Sequence, residues 1–162
     1  MYIKRKLSSD LTTFKNLRQN AKSRKKSSHR YIATVGIGGN LGDVKRRFDH
    51  LLVYFRRDAR VELLKISLIL QNPPFGFIEQ GDFFNSIVVL KTTMQPIRFL
   101  DYLMRVEKRF SRKRSFKDAP RTLDLDIIFF DNRVVKLPKL QIPHPRYRER
   151  ESVKIPLMDI YR

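Results

Sequence analysis

Two aspartates stand two residues apart in Pro120-Arg121-Thr122-Leu123-Asp124-Leu125-Asp126-Ile127-Ile128, alternating with apolar residues. That alternation is the pattern of a strand, whose successive side chains point to opposite faces. Leu123, Leu125, Ile127 and Phe129 would share one face, and Asp124 and Asp126 the other. Carboxylates so close repel one another unless a cation lies between them, and oxygen donors suit a hard ion such as Mg²⁺. The plainer reading is a half-exposed strand with an acidic outer face. In a chain of net charge +19, a paired acidic face argues for a metal site instead.

Just before the aspartates runs a basic segment that includes Arg112, Lys113, Arg114, Lys117 and Arg121. Such runs are usually solvated loops. Beside an Mg²⁺ pair, guanidinium groups are what a polyphosphate requires, since each offers parallel donors and charge. A nucleic-acid backbone would use the same groups. Gly36-Ile37-Gly38 begins like a dinucleotide fingerprint, but Leu41 occupies the third glycine position, so the motif fails. A tight turn needing positive φ is explanation enough for some of these glycines. Gln71-Asn72-Pro73-Pro74-Phe75-Gly76 is a rigid apolar turn, and with Phe83, Phe84 and Asn85 it could frame a slot for a flat heterocycle. His144, between Pro143 and Pro145, carries no signal by itself.

These residues need elements to position them. Tyr31–Val35 reads as a buried strand, followed by the glycine segment through Gly42. Val44, Phe48, Leu51, Leu52 and Phe55 then recur at helical spacing, with Asp43 as N-cap. Val61–Leu70 and Phe84–Leu90 read as strands. A second helix starts at Pro96 and buries Phe99, Leu103, Val106 and Phe110, and Thr122–Phe130 is the last strand. The order β-α-β-β-α-β predicts an α+β, ferredoxin-like fold, an antiparallel sheet with helices packed on one face.

The chain has 162 residues, of which 41% are hydrophobic, which suits one globular domain. No apolar run approaches the roughly 20 residues of a membrane span. The opening residues lead into no apolar stretch, so a secretory signal is not expected. With no cysteine, thiolate sites and disulfides are excluded, and the expected compartment is the cytoplasm. Residues 1–30 carry ten Lys or Arg against one acid, Asp10. They read as a flexible basic extension with at most a weak helical stripe (Leu7, Leu11, Phe14, Leu17), joined to a domain spanning 31–162.

Taken together, the segments resemble the 6-hydroxymethyl-7,8-dihydropterin pyrophosphokinase family. The resemblance rests on Gly38-Gly39-Asn40-Leu41-Gly42-Asp43, Asn72-Pro73-Pro74-Phe75-Gly76, Asp82-Phe83-Phe84-Asn85, Glu107, Arg112-x-Arg114, the unbroken run at 120–127, Ile142-Pro143-His144-Pro145-Arg146 and Arg150. It implies transfer of diphosphate from ATP to a hydroxymethylpterin, with release of AMP, in folate biosynthesis. It further implies that Asp124 and Asp126 hold two Mg²⁺ ions and that Arg112 and Arg121 serve catalysis. Glu107, Arg112, Arg114, Arg121, Ile127, His144 and Arg150 would contact ATP. Gly38, Asn72, Pro73, Pro74, Phe75, Phe83 and Asn85 would line the pterin pocket. The chain departs from the family's pattern at Met104 (commonly Gln), at Phe83 (commonly Tyr), at Ser152, where a stacking ring is expected nearby, and before Ala119, where a tryptophan is common. The resemblance leaves residues 1–30 unexplained.

Two other readings start from the same residues. A ferredoxin-like module could bind RNA through its basic surface, although Asp124 and Asp126 would repel a phosphate backbone. A family member that has lost catalysis could serve as an interaction protein. The enzyme reading expects ATP and a reduced hydroxymethylpterin as partners, no specific nucleic acid and no membrane.

Overall fold

The computed structural model describes residues 1–16, 30–112 and 119–162. They form a mixed α/β fold with a seven-stranded sheet, a separate two-stranded ribbon and three helices. The elements in chain order are β1 (Tyr2–Lys6), β2 (Thr12–Asn16), β3 (Tyr31–Gly39), α1 (Val44–Arg57), β4 (Val61–Ile66), β5 (Ile69–Asn72), β6 (Phe83–Thr92), α2 (Pro96–Arg109), β7 (Asp124–Phe130), β8 (Val135–Leu137), β9 (Leu140–Ile142) and α3 (Glu151–Ile160). The large sheet runs β1-β2-β5-β6-β3-β7, with β4 also on β6, and its pairings are antiparallel. None of the described helices is long and apolar enough to cross a membrane.

Both expected helices form where the periodicity places them. The Asp43 side chain accepts the Arg46 N–H, and Val44, Phe48, Leu51, Leu52 and Phe55 are all buried. In α2, Pro96 occupies the first turn, where its missing N–H costs no bond, and Phe99, Leu103 and Val106 are buried. Both helices pack on one face of the sheet against alternate strand residues, including Val88, Leu90, Leu125 and Ile127. The intervening residues Ile87, Val89 and Ile128 face the other way and are covered by Val153, Leu157 and Ile160 of α3. The elements expected from sequence end at Phe130, and the β8–β9 ribbon and α3 lie beyond them.

Three expectations change. The strand expected over Val61–Leu70 is two strands, interrupted at Ser67. There the Ser67 hydroxyl accepts the Ile87 N–H at 2.8 Å, while Asp159 of α3 accepts the Leu68 N–H at 2.7 Å. Side chains thus replace ladder partners, and the chain shifts along β6. In β7 the pairing skips Ile128: Thr34 faces Phe129 and Val35 faces Ile127. This extra residue is a bulge that reverses the alternation beyond it. Phe130, not Phe129, therefore enters the core.

The third change concerns the N-terminus. Over residues 2–16 the expected solvated extension is instead a β-hairpin, whose second strand adds to β5. Phe14 is the physical reason: it is only 7% exposed and packs near Phe84, with ring centroids 6.1 Å apart. Thr12-Thr13-Phe14 favours strand, and the Ser8 hydroxyl closes the turn by accepting the N–H groups of Asp10 and Leu11. The proposed helical stripe is not formed at Leu7, Leu11 or Phe14, and Leu17 lies outside the described residues.

Candidate functional site

Asp124 and Asp126 project from the face of β7 opposite the helical core and line one cleft with Arg121, His144 and Arg150. Gly38, Asn72, Phe75, Phe83 and Asn85 line the same cleft. The cleft is open to solvent, with about 780 Å³ of empty space that includes solvent at its mouth. Residues about 100 positions apart in sequence meet here because β3 pairs with β6 on one side and β7 on the other.

β3 approaches its neighbours closely enough to require glycine. A Cβ on Gly38 would lie 2.8 Å from Asn85 Oδ1, and one on Gly39 would lie 2.5 Å from the Thr122 carbonyl oxygen. The positive-φ explanation applies instead to Gly42, at φ 66°. Asn40 ties the floor together: its Oδ1 accepts the Arg121 N–H at 2.9 Å, and its Nδ2 donates to Gln80 Oε1 at 2.8 Å. On the apolar side, Asn85 Nδ2 donates to Asn72 Oδ1 at 2.7 Å, which fixes both amides relative to each other.

Charge dominates around Asp124. Arg112 Nη1 donates to one carboxylate oxygen and Arg121 Nη1 donates to the other at 2.9 Å. Arg112 also donates to the Leu123 carbonyl at 2.9 Å, and its Nε lies 3.6 Å from Glu107 Oε2. Asp126 opens onto the cleft but is hemmed in by protein on its other sides. That desolvation, with the carboxylates of Asp124 and Glu107, raises its pKa above the usual carboxylate range. Arg112 and Arg150 act in the opposite sense. For His144, burial first and then Arg150 and Arg146 lower the pKa, so the ring is neutral at pH 7. Its Nδ1 accepts the Arg146 N–H at 3.3 Å, which leaves the proton on Nε2.

Two arginines lie against cleft aromatics. Arg121 Cζ is 5.4 Å from the Phe83 ring centroid, and Arg150 Cζ is 5.9 Å from that of Phe75. Among the described residues, Arg150 Nε is buried without a hydrogen-bond partner, a donor suited to an anion in the cleft. Two carboxylates with no third such ligand in reach, among the described residues, fit a metal that keeps water and phosphate oxygens in its shell. That is the habit of Mg²⁺.

Some expected residues lie elsewhere. Glu107, expected to contact ATP, lies outside the cleft lining: it is 3% exposed, and its Oε1 accepts the Leu125 N–H at 2.8 Å. Ile127 is a core side chain at 4% exposure, so only its backbone could reach a ligand. Arg112 lies behind Asp124, outside the cleft lining, and Pro73 and Pro74 line an adjoining cavity. Arg114 falls outside the described residues, as does most of the basic loop around it. Ser86, Ser152 and Val153 line the cleft without having been singled out as site residues. The last two belong to α3, whose spacing of Val153, Leu157 and Ile160 was the available signal.

The model of the family described as 7,8-dihydro-6-hydroxymethylpterin-pyrophosphokinase (HPPK) matches residues 34–162. The chain is 41% identical over 130 residues to the 2-amino-4-hydroxy-6-hydroxymethyldihydropteridine pyrophosphokinase of Campylobacter jejuni, covering 80% of this chain and 83% of that one. The Helicobacter pylori protein of the same name is 39% identical over 125 residues, 76% of this chain and 77% of its own. A Dictyostelium discoideum folic acid synthesis protein, FOL1, is 30% identical over 147 residues, covering 90% of this chain but 22% of that longer one.

Proposed function

The chain belongs to the 7,8-dihydro-6-hydroxymethylpterin-pyrophosphokinase family, ATP-dependent enzymes of folate biosynthesis, and on that premise we propose how its cleft divides the work of diphosphate transfer. The reaction forms a bond between the pterin hydroxymethyl oxygen and the β-phosphorus of ATP. It breaks the bond from that phosphorus to the α–β bridging oxygen, so AMP leaves and the hydroxyl proton is lost. Positioning and charge neutralisation account for most of the catalysis in such transfers.

Asp124 and Asp126 would hold Mg²⁺, two ions in our reading, which supplies charge for the phosphate chain when bound. Arg121, Arg150 and neutral His144 would take the phosphate oxygens. Arg112 and Arg121 are paired to Asp124 without ligand, and a cation on that carboxylate would free both guanidinium groups for phosphate. Phe75, Phe83, Asn72 and Asn85 would receive the heterocycle, with ring faces for stacking and amides for its edge. A ferredoxin-like core, with β4 and β5 together as its second strand, is supported by the strand order and by α1 and α2 sharing one face. The absence of cysteine supports the cytoplasm as the compartment.

The observation that carries this assignment is the single cleft in which the aspartate pair, the arginines and the aromatic–amide set meet. Asp124→Ala and Asp126→Ala should each abolish turnover while leaving the protein folded. Turnover is followed with Mg²⁺, and calorimetric titration with a non-hydrolysable ATP analogue reports nucleotide binding. Wild-type activity in either variant would remove the metal assignment.

A further inference from the structure

A second cavity, about 820 Å³ and open to solvent, adjoins the cleft, and Asn72, Phe75 and Ser152 line both. Pro73 and Pro74 contribute to it, and the tip of the β1–β2 hairpin supplies Ser8, Asp10 and Leu11. The family match begins at residue 34, so the tip belongs to none of the matched positions.

The hairpin is tied to the elements that carry the site. Thr12 pairs with Gln71, the residue before Asn72. The Tyr2 hydroxyl donates to Asp49 of α1 at 2.6 Å, and Lys15 Nζ reaches Asp159 of α3 at 3.0 Å. Lys15 is exposed, so that ion pair adds little alone; buried Phe14 supplies the main anchorage. The tip itself is set by the Ser8 hydroxyl, which accepts the Asp10 and Leu11 N–H groups at 3.3 and 3.1 Å. Phe75 is 57% exposed, and Ser152, which lines both spaces with it, is a small side chain.

We infer that the hairpin tip is a positioning element for the pterin side of the cleft, fixing the Asn72–Phe75 turn from the adjoining cavity, which Leu11 lines together with Phe75 and Ser152. This rests on the assignment of Asn72, Phe75 and Asn85 to the pterin. A wall fixed before binding lowers the ordering cost of the ligand it meets. Its loss therefore weakens pterin binding while ATP, held by Arg121, His144 and Arg150, is unaffected.

The test uses the full chain carrying Ser8→Ala or Leu11→Ala. Pterin fluorescence reports binding in the presence of a non-hydrolysable ATP analogue, and the absence of tryptophan keeps the protein's own emission low. The expected result is pterin binding weaker by about threefold or more, with analogue affinity and melting temperature near wild type. Unchanged pterin affinity in the folded variants overturns the inference. So does equal weakening of both ligands with a lowered melting temperature, which marks general support of the fold. If Leu11→Ala does not fold, Ser8→Ala decides, because it removes only a hydroxyl. Asn85→Ala is the control: intact pterin binding there overturns the assignment of the pterin side, separately from the hairpin's role.

Discussion

Glu107→Ala and Glu107→Gln separate two roles that one buried carboxylate combines. Oε1 accepts the Leu125 N–H in the strand that carries both aspartates, and Oε2 faces Arg112 at 3.6 Å. Alanine removes both. An orphaned buried N–H costs about 1–3 kcal/mol. Breaking a buried ion pair costs about 3–5 kcal/mol, and here less, because Arg112 keeps Asp124 and the Leu123 carbonyl. We expect a loss of about 3–4 kcal/mol, and a melting temperature lower by about 10 °C at roughly 2–4 °C per kcal/mol for a chain of this size. Glutamine keeps an acceptor for Leu125 and loses only the charge, so we expect about 1–2 kcal/mol. Urea denaturation of the two variants and the wild type measures the difference. Equal losses for glutamine and alanine would refute the acceptor role, and negligible losses for both would refute the burial argument itself.

Arg121→Ala should lower the single-turnover transfer rate more than it weakens ATP binding, and Arg121→Lys should restore it only in part, because an ammonium cannot present parallel donors. A large rise in the ATP dissociation constant with an unchanged rate would reduce Arg121 to a ground-state anchor. Phe14→Ala should destabilise the protein by about 3–4 kcal/mol in urea, as loss of a buried ring does, whereas a loss below about 1 kcal/mol would mean the hairpin is not packed on the sheet. Asp58 is held at a pKa of about 2, below its ordinary 3.8, chiefly by the hydrogen bond from Arg60. A carboxyl lowered on folding stabilises above its unfolded pKa, so this contribution is present above about 3.8 and is lost as pH falls through about 2. Asp58→Asn should flatten the stability–pH curve in that window, and identical slopes for the two proteins would show that the pair contributes nothing.

Local periodicity determines much of this protein. The stripes beginning at Val44 and Phe99 could bury their apolar residues only as helices, and the alternation around Asp124 and Asp126 placed both carboxylates on one face. In each case the information lies within a few turns or one strand, where backbone geometry alone decides which side chains share a face. The family resemblance extended that reading to the residues of the cleft, because the motifs stand in order along the chain.

Other features depend on partners distant in sequence. The stretch Val61–Leu70 breaks at Ser67 because Ile87 of the neighbouring strand donates its N–H to the Ser67 hydroxyl and Asp159 of α3 accepts the N–H of Leu68. Ile128 bulges because β3 pairs on either side of it, and Glu107 is buried because β7 lies over α2 with an N–H to satisfy. Residues 2–16 read as a charged tail until β5 presents an open edge and the core accepts Phe14. Composition describes what a segment does alone in water. Which polar group is buried, and which basic segment folds, was decided only when tertiary contacts supplied a partner worth more than the hydration it replaced.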